Sequence, residues 1–389
     1  MRPSLFMMLP RSHALVAVAG AGKTQKLATT LLLKNDAKKA IGITFTTSAQ
    51  SELRQRIAQL AGTQPQPRVI GWHAFLLNEI VKPYFPSRFP GKRVSGYFRT
   101  EHGADWRRGA AHLHYVTRSG DAYSDRLALL AREVIDASNG SALARLGEVF
   151  SLIAIDEFQD LGGNDLEVLD RMMRQHLPLY LVGDPRQATI ITSTSDSKNK
   201  LFRGPEVIRW LREEETLGNC SIAYATRSHR CHPDILSLAD LIHNPELEFP
   251  SSASLHKPNA NTHKGVWLVD ENDRAAYAAS IHSDVTFLRY DAKTPYNLGW
   301  EILNFKVSKG LTRNHVVVLT NVPIRNLLTK GTEMTTSSAC AFYVAVTRAR
   351  YSVGLVMPSA AKSLARIRAS NSRFSDLPLN LWTPPSTSS

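Results

Sequence analysis

One segment near the start of the chain, Ala17–Thr24, constrains the fold more than any other feature of the sequence. It begins within an apolar run rich in β-branched residues, Ala14–Ala19, and is followed by a helix-like run, Lys26–Leu33. Glycines at 20 and 22 allow a tight turn and leave backbone N–H groups free to approach phosphate oxygens, at a helix N-terminus that favours anions. The order of strand, glycine-rich loop and helix predicts a phosphate-binding loop in an α/β protein.

Each residue of this loop has an expected role in nucleotide binding. The Lys23 ammonium is expected to reach the β and γ phosphates, and the Thr24 hydroxyl is expected to hold Mg²⁺. The predicted nucleotide contacts are Ala19, Gly20, Ala21, Gly22, Lys23, Thr24 and Gln25. The general pattern of such loops begins with glycine, whereas Ala17 stands here. The alternative is a glycine-rich turn without a ligand, which the Gly-Lys-Thr end of the loop disfavours in this context.

Two acids at the end of a second buried run suit the chemistry of hydrolysis. The run is Val149–Ile155, and Asp156 and Glu157 follow it, where open α/β sheets bind their ligands. Asp156 is expected to hold Mg²⁺, and Glu157 to polarise the attacking water as general base. Taken alone, an acidic turn after a core strand is an equally good interpretation, but the phosphate loop favours the catalytic one. A third run, Leu179–Val182, places Gln187 close to the same phosphates.

Composition describes a basic globular protein that is large enough for two domains. The chain has 389 residues, of which 43% are apolar and 21% charged. Its formal net charge of +13 favours a polyanionic partner, although charge alone does not prove one. The cysteines at 220, 231 and 340 lack the spacing of zinc sites or disulfide frameworks, which indicates a reducing compartment. No apolar run approaches the roughly 20 residues of a membrane span, so we expect a cytoplasmic protein without a membrane partner.

Several further motifs follow the loop in a characteristic order. The acids continue as Gln159 and Asp160, and they are followed by segments at Gly183–Gln187, Ser308–Leu311 and Tyr343–Arg350. Together the motifs resemble the UvrD/Rep-like helicases of superfamily 1A over nearly the whole chain. In that family the loop begins with alanine, as it does here. The combination of acids with Gln159 and Asp160 is highly specific to the group.

The resemblance implies roles for residues that spacing alone does not assign. Arg230 falls where the family has an arginine that contacts the γ phosphate, and Arg348 matches the arginine finger of the second motor domain. Gln187 joins them as a catalytic residue, and His229 and Gly310 fall at nucleotide-contacting positions. Contacts to single-stranded nucleic acid are implied at Thr44, Phe45, Thr46, Trp72 and His73, with Trp72 as the candidate for stacking on a base.

The implied architecture is α/β, with two RecA-like P-loop NTPase domains whose mainly parallel sheets are flanked by helices and whose ATP site lies in the cleft between them. The N-terminal, ATP-binding domain is placed at residues 1–203, with a small insertion at about 85–140, and the C-terminal domain, which supplies the arginine finger, at 204–389. The polar segment Ser193–Lys200 is a plausible linker. Strands of the second domain are predicted at Val266–Val269, Val285–Arg289, His315–Leu319 and Ser352–Met357.

The insertion has two interpretations of equal weight. Aromatic residues alternate with cations around Tyr97, Trp106 and Tyr115, a pattern that suits single-stranded nucleic acid, on whose bases aromatic rings stack. The other interpretation is a solvated loop that leads into an amphipathic helix at Asp121–Ala137.

The chain departs from the family at positions that concern the adenine and the bases. The glutamine that family members carry upstream of the loop is missing from the first 24 residues. ATP remains the expected nucleotide, and the coupling of hydrolysis to movement is expected to be weaker than in larger relatives. The other departures are Gln25 for an arginine, His229 and Thr189-Ile190 for aromatic residues, and Thr312-Arg313 for an acid and an aromatic.

The predicted function is therefore ATP-dependent translocation on single-stranded or partially duplex DNA, with RNA left open. The resemblance implies 3′-to-5′ movement. The main alternative is a DNA-gated ATPase switch that regulates a partner nuclease, because the chain is as compact as the small helicase subunits of Gabija-type anti-phage systems. A small-molecule P-loop kinase fails to explain the later motifs. No nuclease constellation is visible in the sequence.

Overall fold

The computed structural model of the chain describes residues 11–33, 39–98, 110–189, 198–257, 262–281, 284–294 and 296–385. By its contacts the chain divides into two compact units. The first unit contains the chain up to Val16, then Lys23–Gly183 and the segment that ends at Ala223. The second unit contains Ala17–Gly22, Asp184–Thr189 and the chain from Tyr224 onward.

The first unit is built on a six-stranded sheet. A π-helical turn, Leu76–Val81, joins its third and fourth helices. In chain order its elements are β1 (Ser12–Ala17), α1 (Lys23–Leu32), β2 (Ala40–Thr44), α2 (Thr47–Ala61), β3 (Arg68–Gly71), α3 (Trp72–Phe75), α4 (Lys82–Arg88), β4 (Tyr97–Phe98), β5 (Ala122–Tyr123), α5 (Leu127–Ala137), α6 (Ser141–Val149), β6 (Leu152–Asp156), α7 (Asn164–Arg174), β7 (Leu179–Gly183), α8 (Val207–Thr216) and β8 (Cys220–Ala225).

The order of this sheet is β3-β2-β6-β7-β1-β8, and the four pairings from β3 to β1 are parallel. Every residue of β2 and β6 is buried, as expected for parallel strands with helices on both faces. In register, Asp156 pairs with Val182, and Val16 pairs with Gly183. The carboxyl ends of β1, β6 and β7 therefore meet at one edge of the sheet, and the loop and the acids of the sequence motifs follow at that edge.

The second unit is built on another six-stranded sheet. Its elements are β9 (Arg227–Ser228), α9 (Pro233–Asp240), β10 (Ala253–Ser254), β11 (Gly265–Asp270), α10 (Arg274–Ser280), β12 (Val285–Arg289), β13 (Glu301–Asn304), β14 (Arg313–Leu319), α11 (Val322–Lys330), α12 (Thr336–Val346), β15 (Ala349–Met357), α13 (Ala360–Ala369) and β16 (Leu379–Leu381). The order of the sheet is β13-β12-β14-β15-β11-β16, and all five pairings are parallel. In the larger of two apolar clusters, α9, α11 and α12 pack against the central strands.

The predicted fold class is confirmed: the chain forms two α/β units with parallel sheets and flanking helices. The four strands predicted for the second half correspond to β11, β12, β14 and β15. The chain divides between Ala223 and Tyr224 rather than after residue 203, because α8 and most of β8 belong to the first unit. Most of the predicted linker, residues 193–197, lies outside the described residues. Within the described residues, no helix combines the length and hydropathy of a membrane span.

Two buried histidines make stability depend on pH. Burial and the nearby His263 together lower the pKa of His315 to about 4. Burial and the Arg186 guanidinium lower the pKa of His243 to about 3. In the unfolded chain histidine has a pKa of about 6.5. As the pH falls, the unfolded chain therefore takes up a proton at each of these two histidines at a higher pH than the folded chain does. The contribution of these histidines to the free energy of unfolding should be complete above about pH 6.5. We expect the free energy of unfolding to fall on the order of 3 kcal/mol per histidine as the pH drops toward 4.

Urea unfolding at pH 7.5 and pH 5.0 measures this loss. In His315→Asn the difference between the two pH values should shrink, because a neutral amide can keep the bond to Ser352 Oγ, 2.8 Å from His315 Nδ1, without titrating. His176→Asn replaces an exposed histidine and is the matched control. An unchanged pH difference in His315→Asn would contradict the assignment.

Candidate active site

The phosphate-binding loop has the backbone that the sequence predicts. Gly20 and Gly22 adopt φ values of 79° and 75°, and the N–H of Ala21 donates to the carbonyl of Val18 at 3.1 Å. The loop leads directly into α1, whose first turn contains Lys23 and no acidic residue. Its free N–H groups and its dipole therefore favour an anion at this end of the helix.

Gly20 packs closely against the segment that carries the predicted motif arginine. The N–H of His229 donates to the Gly20 carbonyl at 3.0 Å. A Cβ on Gly20 would lie 2.5 Å from Ser228 Oγ and 2.6 Å from Arg230 Cβ. The structure thus brings Arg230 and His229 beside the backbone of the loop, within the second unit, which explains why this position holds glycine.

We expect Gly20→Ala to lower the free energy of unfolding by clearly more than Gly299→Ala. Both glycines have φ near +78°, with 79° at Gly20 and 77° at Gly299, but no atom of the described residues lies within 4 Å of a Cβ at Gly299. The control therefore isolates the backbone cost of about 1–2 kcal/mol, and Gly20→Ala adds the overlap with Ser228 and Arg230. Chemical denaturation of both variants measures the difference, and equal losses would contradict the close packing.

The first predicted acid, Asp156, ends β6 and is only 6% exposed. Burial and the Glu157 carboxylate, opposed by the Lys23 ammonium, together raise the pKa of its carboxyl to about 7. The N–H of Glu157 donates to Asp156 Oδ1 at 3.0 Å. The structure therefore brings Lys23, Asp156 and Glu157 together in the first unit. A buried carboxylate of this kind is stabilised as an anion by a cation.

The second acid is held in a strained backbone conformation. Glu157 lies in the left-handed region at φ 52° and ψ 42°, which costs on the order of 1–3 kcal/mol for a non-glycine residue and is often found at functional sites. The side-chain amide of Gln159 donates to Glu157 Oε2. Gln159 is fully buried, and a Cβ on Gly183 would overlap its amide oxygen. The end of β7 thus supports the residue that orients Glu157.

The donor set fits Mg²⁺. The Thr24 hydroxyl, in the first turn of α1, and the Asp156 carboxylate are hard oxygen donors of the kind that Mg²⁺ prefers. The raised pKa of Asp156 indicates that the Lys23 ammonium and the Glu157 N–H do not fully offset the cost of burying its anion. A divalent cation at this carboxylate would supply the missing charge.

In the second unit, Arg348 is almost completely enclosed by hydrogen-bond acceptors. Its side chain is 2% exposed. Nε donates to the Val344 carbonyl at 2.9 Å, Nη1 to the Leu311 carbonyl at 3.2 Å, and Nη2 to Gln187 Oε1 at 3.2 Å and Thr347 Oγ1 at 3.3 Å. The structure therefore brings two predicted catalytic residues into contact. It holds the predicted arginine finger in a buried position.

The other arginine of the motifs, Arg230, is only half-buried. Its Nη1 donates to the carbonyl of Thr347 at 3.3 Å, so it lies next to the residue that precedes Arg348. Gly310 is exposed with φ 88°. It is one residue before Leu311, whose carbonyl accepts from Arg348. The predicted residues Arg230, Gly310 and Arg348 thus form one neighbourhood of the second unit.

The residues predicted to hold a single strand differ in accessibility. Thr46 is exposed and caps α2 by accepting from the N–H of Ala49 at 3.1 Å. Phe45 and His73 are half-buried, whereas Thr44 is 1% exposed. Thr46, Phe45 and His73 therefore keep accessible surface, and Thr44 does not.

The stacking role predicted for Trp72 does not fit the structure. Its side chain is 2% exposed, and the indole N–H donates to Asp165 Oδ1 at 2.6 Å. One face of the ring stacks on Phe75, with ring centroids 5.8 Å apart. Trp72 is a core residue that attaches α3 to the N-terminal end of α7. It is large and apolar with one polar atom, and such a side chain is as suited to a core as to a base.

Part of the predicted insertion is described. Tyr97 lies 5.8 Å from His73 between ring centroids, whereas residues 99–109, with Trp106, lie outside the described residues. The predicted helix begins at Leu127 rather than Asp121, because Ala122–Tyr123 form a short parallel pair with Tyr97–Phe98. The start of the chain, where the family carries its adenine-reading glutamine, is described only from residue 11.

Sequence reasoning missed a buried group beside the predicted residues. Asp184 is completely buried and accepts from Gln187 Nε2 at 2.8 Å and from the Tyr343 hydroxyl at 3.0 Å. Arg186 Nε donates to Asp184 Oδ1 at 3.0 Å, and Arg186 Nη1 to Asp240 Oδ1 at 3.3 Å. Asp184 and Tyr343 both lie inside the motif segments, which was the only available signal in the sequence.

Parts of the chain are similar to known proteins. A family described as an AAA domain matches residues 6–192. A stretch of 97 residues, 25% of the chain, is 29% identical to the RecBCD enzyme subunit RecB of Mycolicibacterium smegmatis. A stretch of 66 residues, 17% of the chain, is 36% identical to the RecBCD enzyme subunit RecB of Mycobacterium tuberculosis. These matches cover 8% and 6% of the two relatives.

Among solved structures, an Arterivirus nonstructural protein 10 (helicase) has a TM-score of 0.45 and 16% identity, over 89% of this chain and 60% of that one. A complex of Arterivirus nonstructural protein 10 (helicase) with DNA has a TM-score of 0.46 and 13% identity, over 92% of this chain and 62% of that one.

Proposed function

We propose that the chain is an ATP-dependent translocase or helicase of the UvrD/Rep-like superfamily 1A type that acts on single-stranded or partially duplex DNA. The observation that carries the proposal is the buried Asp156 and the half-buried Glu157, next to Lys23, at the carboxyl end of β6. A buried carboxylate with a raised pKa, beside a lysine and at a parallel sheet's ligand-binding edge, is suited to phosphoryl chemistry.

The residues of the first unit have distinct chemical tasks. Lys23 holds the β and γ phosphates, and the N–H groups at the start of α1 hold phosphate oxygens. Glu157 accepts a proton from the attacking water, and the Gln159 amide keeps the Glu157 carboxylate in its orientation. Thr24 and Asp156 are the residues that would hold Mg²⁺, which when bound neutralises charge on the phosphate oxygens.

The residues of the second unit act on the charge that develops during phosphoryl transfer. Arg230 packs beside the loop backbone and is assigned to the γ phosphate. Arg348 is assigned as the arginine finger, with Gln187 as its hydrogen-bonded neighbour. In this structure Arg348 is buried on four acceptors, so it must leave at least some of them to reach a nucleotide.

Three observations support DNA as the partner. The formal net charge is +13, which favours phosphate backbones. Short stretches of the chain are similar to RecB, a subunit of the RecBCD enzyme. Phe45, Thr46 and His73 keep accessible surface after β2 and β3, at the sheet edge where the phosphate loop also lies. The direction of movement, 3′ to 5′, follows from the resemblance of the motifs, and RNA remains a test substrate.

A second candidate function is a DNA-gated ATPase switch that controls a partner nuclease, as in anti-phage defence. The observation in its favour is the enclosed position of Arg348. A finger that is withheld until another molecule binds would make hydrolysis depend on that molecule. The two candidates share the ATP site and differ in whether the chain separates strands by itself.

The deciding experiment measures ATP hydrolysis with and without a single-stranded DNA oligonucleotide, and with an RNA of the same sequence. Lys23→Ala is the negative control. The same preparations are then given duplexes with a 3′ or a 5′ single-stranded tail. DNA-stimulated hydrolysis together with unwinding from the 3′ tail supports the motor. Stimulation without unwinding supports the switch. Hydrolysis that Lys23→Ala retains, or no hydrolysis at all, would refute both.

A further inference from the structure

The Asp184 carboxylate is fully buried and lies at the centre of a cluster of polar side chains in the second unit. Its Oδ2 accepts from two donors, Gln187 Nε2 at 2.8 Å and the Tyr343 hydroxyl at 3.0 Å. Its Oδ1 accepts from Arg186 Nε at 3.0 Å. The Arg186 guanidinium also binds Asp240, at 3.3 Å, and lies 5.0 Å from the centre of the Tyr343 ring. Every partner thus restricts the rotation of the Asp184 carboxylate.

This arrangement decides which end of the Gln187 amide faces Arg348. A glutamine amide has one donating and one accepting end. The carboxylate can only accept, so it takes the NH₂ group, and the amide oxygen is left to accept from Arg348 Nη2 at 3.2 Å. With the amide reversed, the NH₂ group would face a guanidinium, which has no acceptor. Asp184 therefore fixes the orientation of Gln187.

Tyr343 connects the same carboxylate to the helix that precedes the arginine finger. It lies on α12, which ends at Val346, two residues before Arg348. Tyr343 is 1% exposed, so its hydroxyl is held where it can donate to Asp184 and not to solvent. The side chains of Tyr343 and Arg348 thus reach the segment Asp184–Thr189 at two points, one through Asp184 and one through Gln187.

We propose that Asp184 and Tyr343 are positioning residues for ATP hydrolysis, which hold the Gln187 amide in the orientation that receives Arg348. This inference rests on the proposed function and adds two residues to it. Asp184 and Tyr343 affect the rate of hydrolysis through Gln187. A purely structural role would not depend on Gln187, so this dependence distinguishes the two roles.

The first test compares two buried tyrosines that each lose one hydroxyl. Tyr343→Phe removes the bond to Asp184 and one with the Ala19 backbone. Tyr277→Phe, in the same unit, removes the bond to His263 Nε2, 2.9 Å long, and one with Ser352. We expect Tyr343→Phe to lower kcat for ATP hydrolysis about tenfold with KM for ATP unchanged within a factor of two. Tyr277→Phe should match the wild type in kcat. Equal kcat values in the two variants would overturn the proposal.

The second test asks whether the effect passes through Gln187. In a Gln187→Ala background the Tyr343 hydroxyl has no amide to position, so adding Tyr343→Phe should change the residual kcat by less than twofold. A further tenfold loss in that background would show that Tyr343 acts by another route and would overturn the proposal. Asp184→Asn should resemble Gln187→Ala in kcat, because an asparagine can donate to Gln187 and permits the reversed amide.

Folding and function are separated by two controls. Each variant is compared with the wild type by thermal unfolding, and kcat is measured well below the transition of the least stable variant. A wild-type chain that hydrolyses no ATP refutes the proposed function and the positioning role with it. A wild-type chain that hydrolyses ATP, with Tyr343→Phe at the wild-type rate, refutes the positioning role alone.

Discussion

Glu157→Gln is expected to lower the rate of ATP hydrolysis by about 10²–10⁴-fold, the usual contribution of a general base, while nucleotide binding stays within a few-fold of the wild type. The substitution keeps the shape of the side chain and one amide oxygen that can accept from Gln159, as Glu157 Oε2 does. It removes the basic oxygen that takes the proton from water. The loss should therefore appear in kcat and not in the affinity for ATP.

Single-turnover hydrolysis and equilibrium binding of a fluorescent ATP analogue separate the two effects. The matched control is Glu52→Gln, on α2, because Glu52 is exposed and also raises the pKa of Asp156. The control thus removes a neighbouring negative charge without removing the base. A Glu157→Gln variant that hydrolyses ATP faster than a tenth of the wild-type rate would require a different base.

The sequence predicted those parts of the site that are local. Two features involve only residues that are a few positions apart. They are the glycine-rich loop between a strand and a helix, and the two acids after a buried run. Parallel sheets then bring the ends of such strands to one edge. The strand before Asp156 nevertheless begins at Leu152 and not at Val149, because α6 extends to Val149. An apolar run does not show where a helix ends and a strand begins.

The features that the sequence could not predict depend on distant contacts. Trp72 was expected to face a base, but its indole donates to Asp165, 93 positions further along the chain. The Tyr343 hydroxyl binds Asp184 across 159 positions, and Arg348 meets Gln187 across 161. Periodicity and motif spacing contain no information about such pairs. They emerge only once the segment Asp184–Thr189 packs on α12.

Arg348→Ala is expected to have the other large effect, a fall in ATP hydrolysis of about 10³–10⁵-fold, as found when arginine fingers are removed from phosphoryl-transfer enzymes. The guanidinium stabilises charge that appears in the transition state and is weaker in bound ATP. Nucleotide binding should consequently change far less than kcat. The exposed Arg350, two residues later on β15, provides the matched control as Arg350→Ala.

The buried position of Arg348 adds a second expected result. Its removal takes a donor from the Leu311 carbonyl and from Gln187 Oε1, whereas the Val344 carbonyl still accepts from Thr347 Oγ1 at 3.3 Å. Each unsatisfied buried acceptor costs about 1–3 kcal/mol. Arg348→Ala should therefore lower the free energy of unfolding, whereas Arg350→Ala should leave it nearly unchanged. Arg348→Lys keeps the charge but loses the fork of donors, and so tests whether charge alone sustains turnover.

Assays below the unfolding transition distinguish a lost finger from a lost fold. If Arg348 acts on the nucleotide, folded Arg348→Ala binds ATP and fails to hydrolyse it, with or without DNA. If Arg348 only holds α12 in place, the rate of ATP hydrolysis by Arg348→Ala should be proportional to the fraction of the variant that is folded. Turnover by folded Arg348→Ala above a tenth of the wild-type rate would remove it from the catalytic residues. The role of Arg348 would then be limited to its hydrogen bonds with Val344, Leu311 and Gln187.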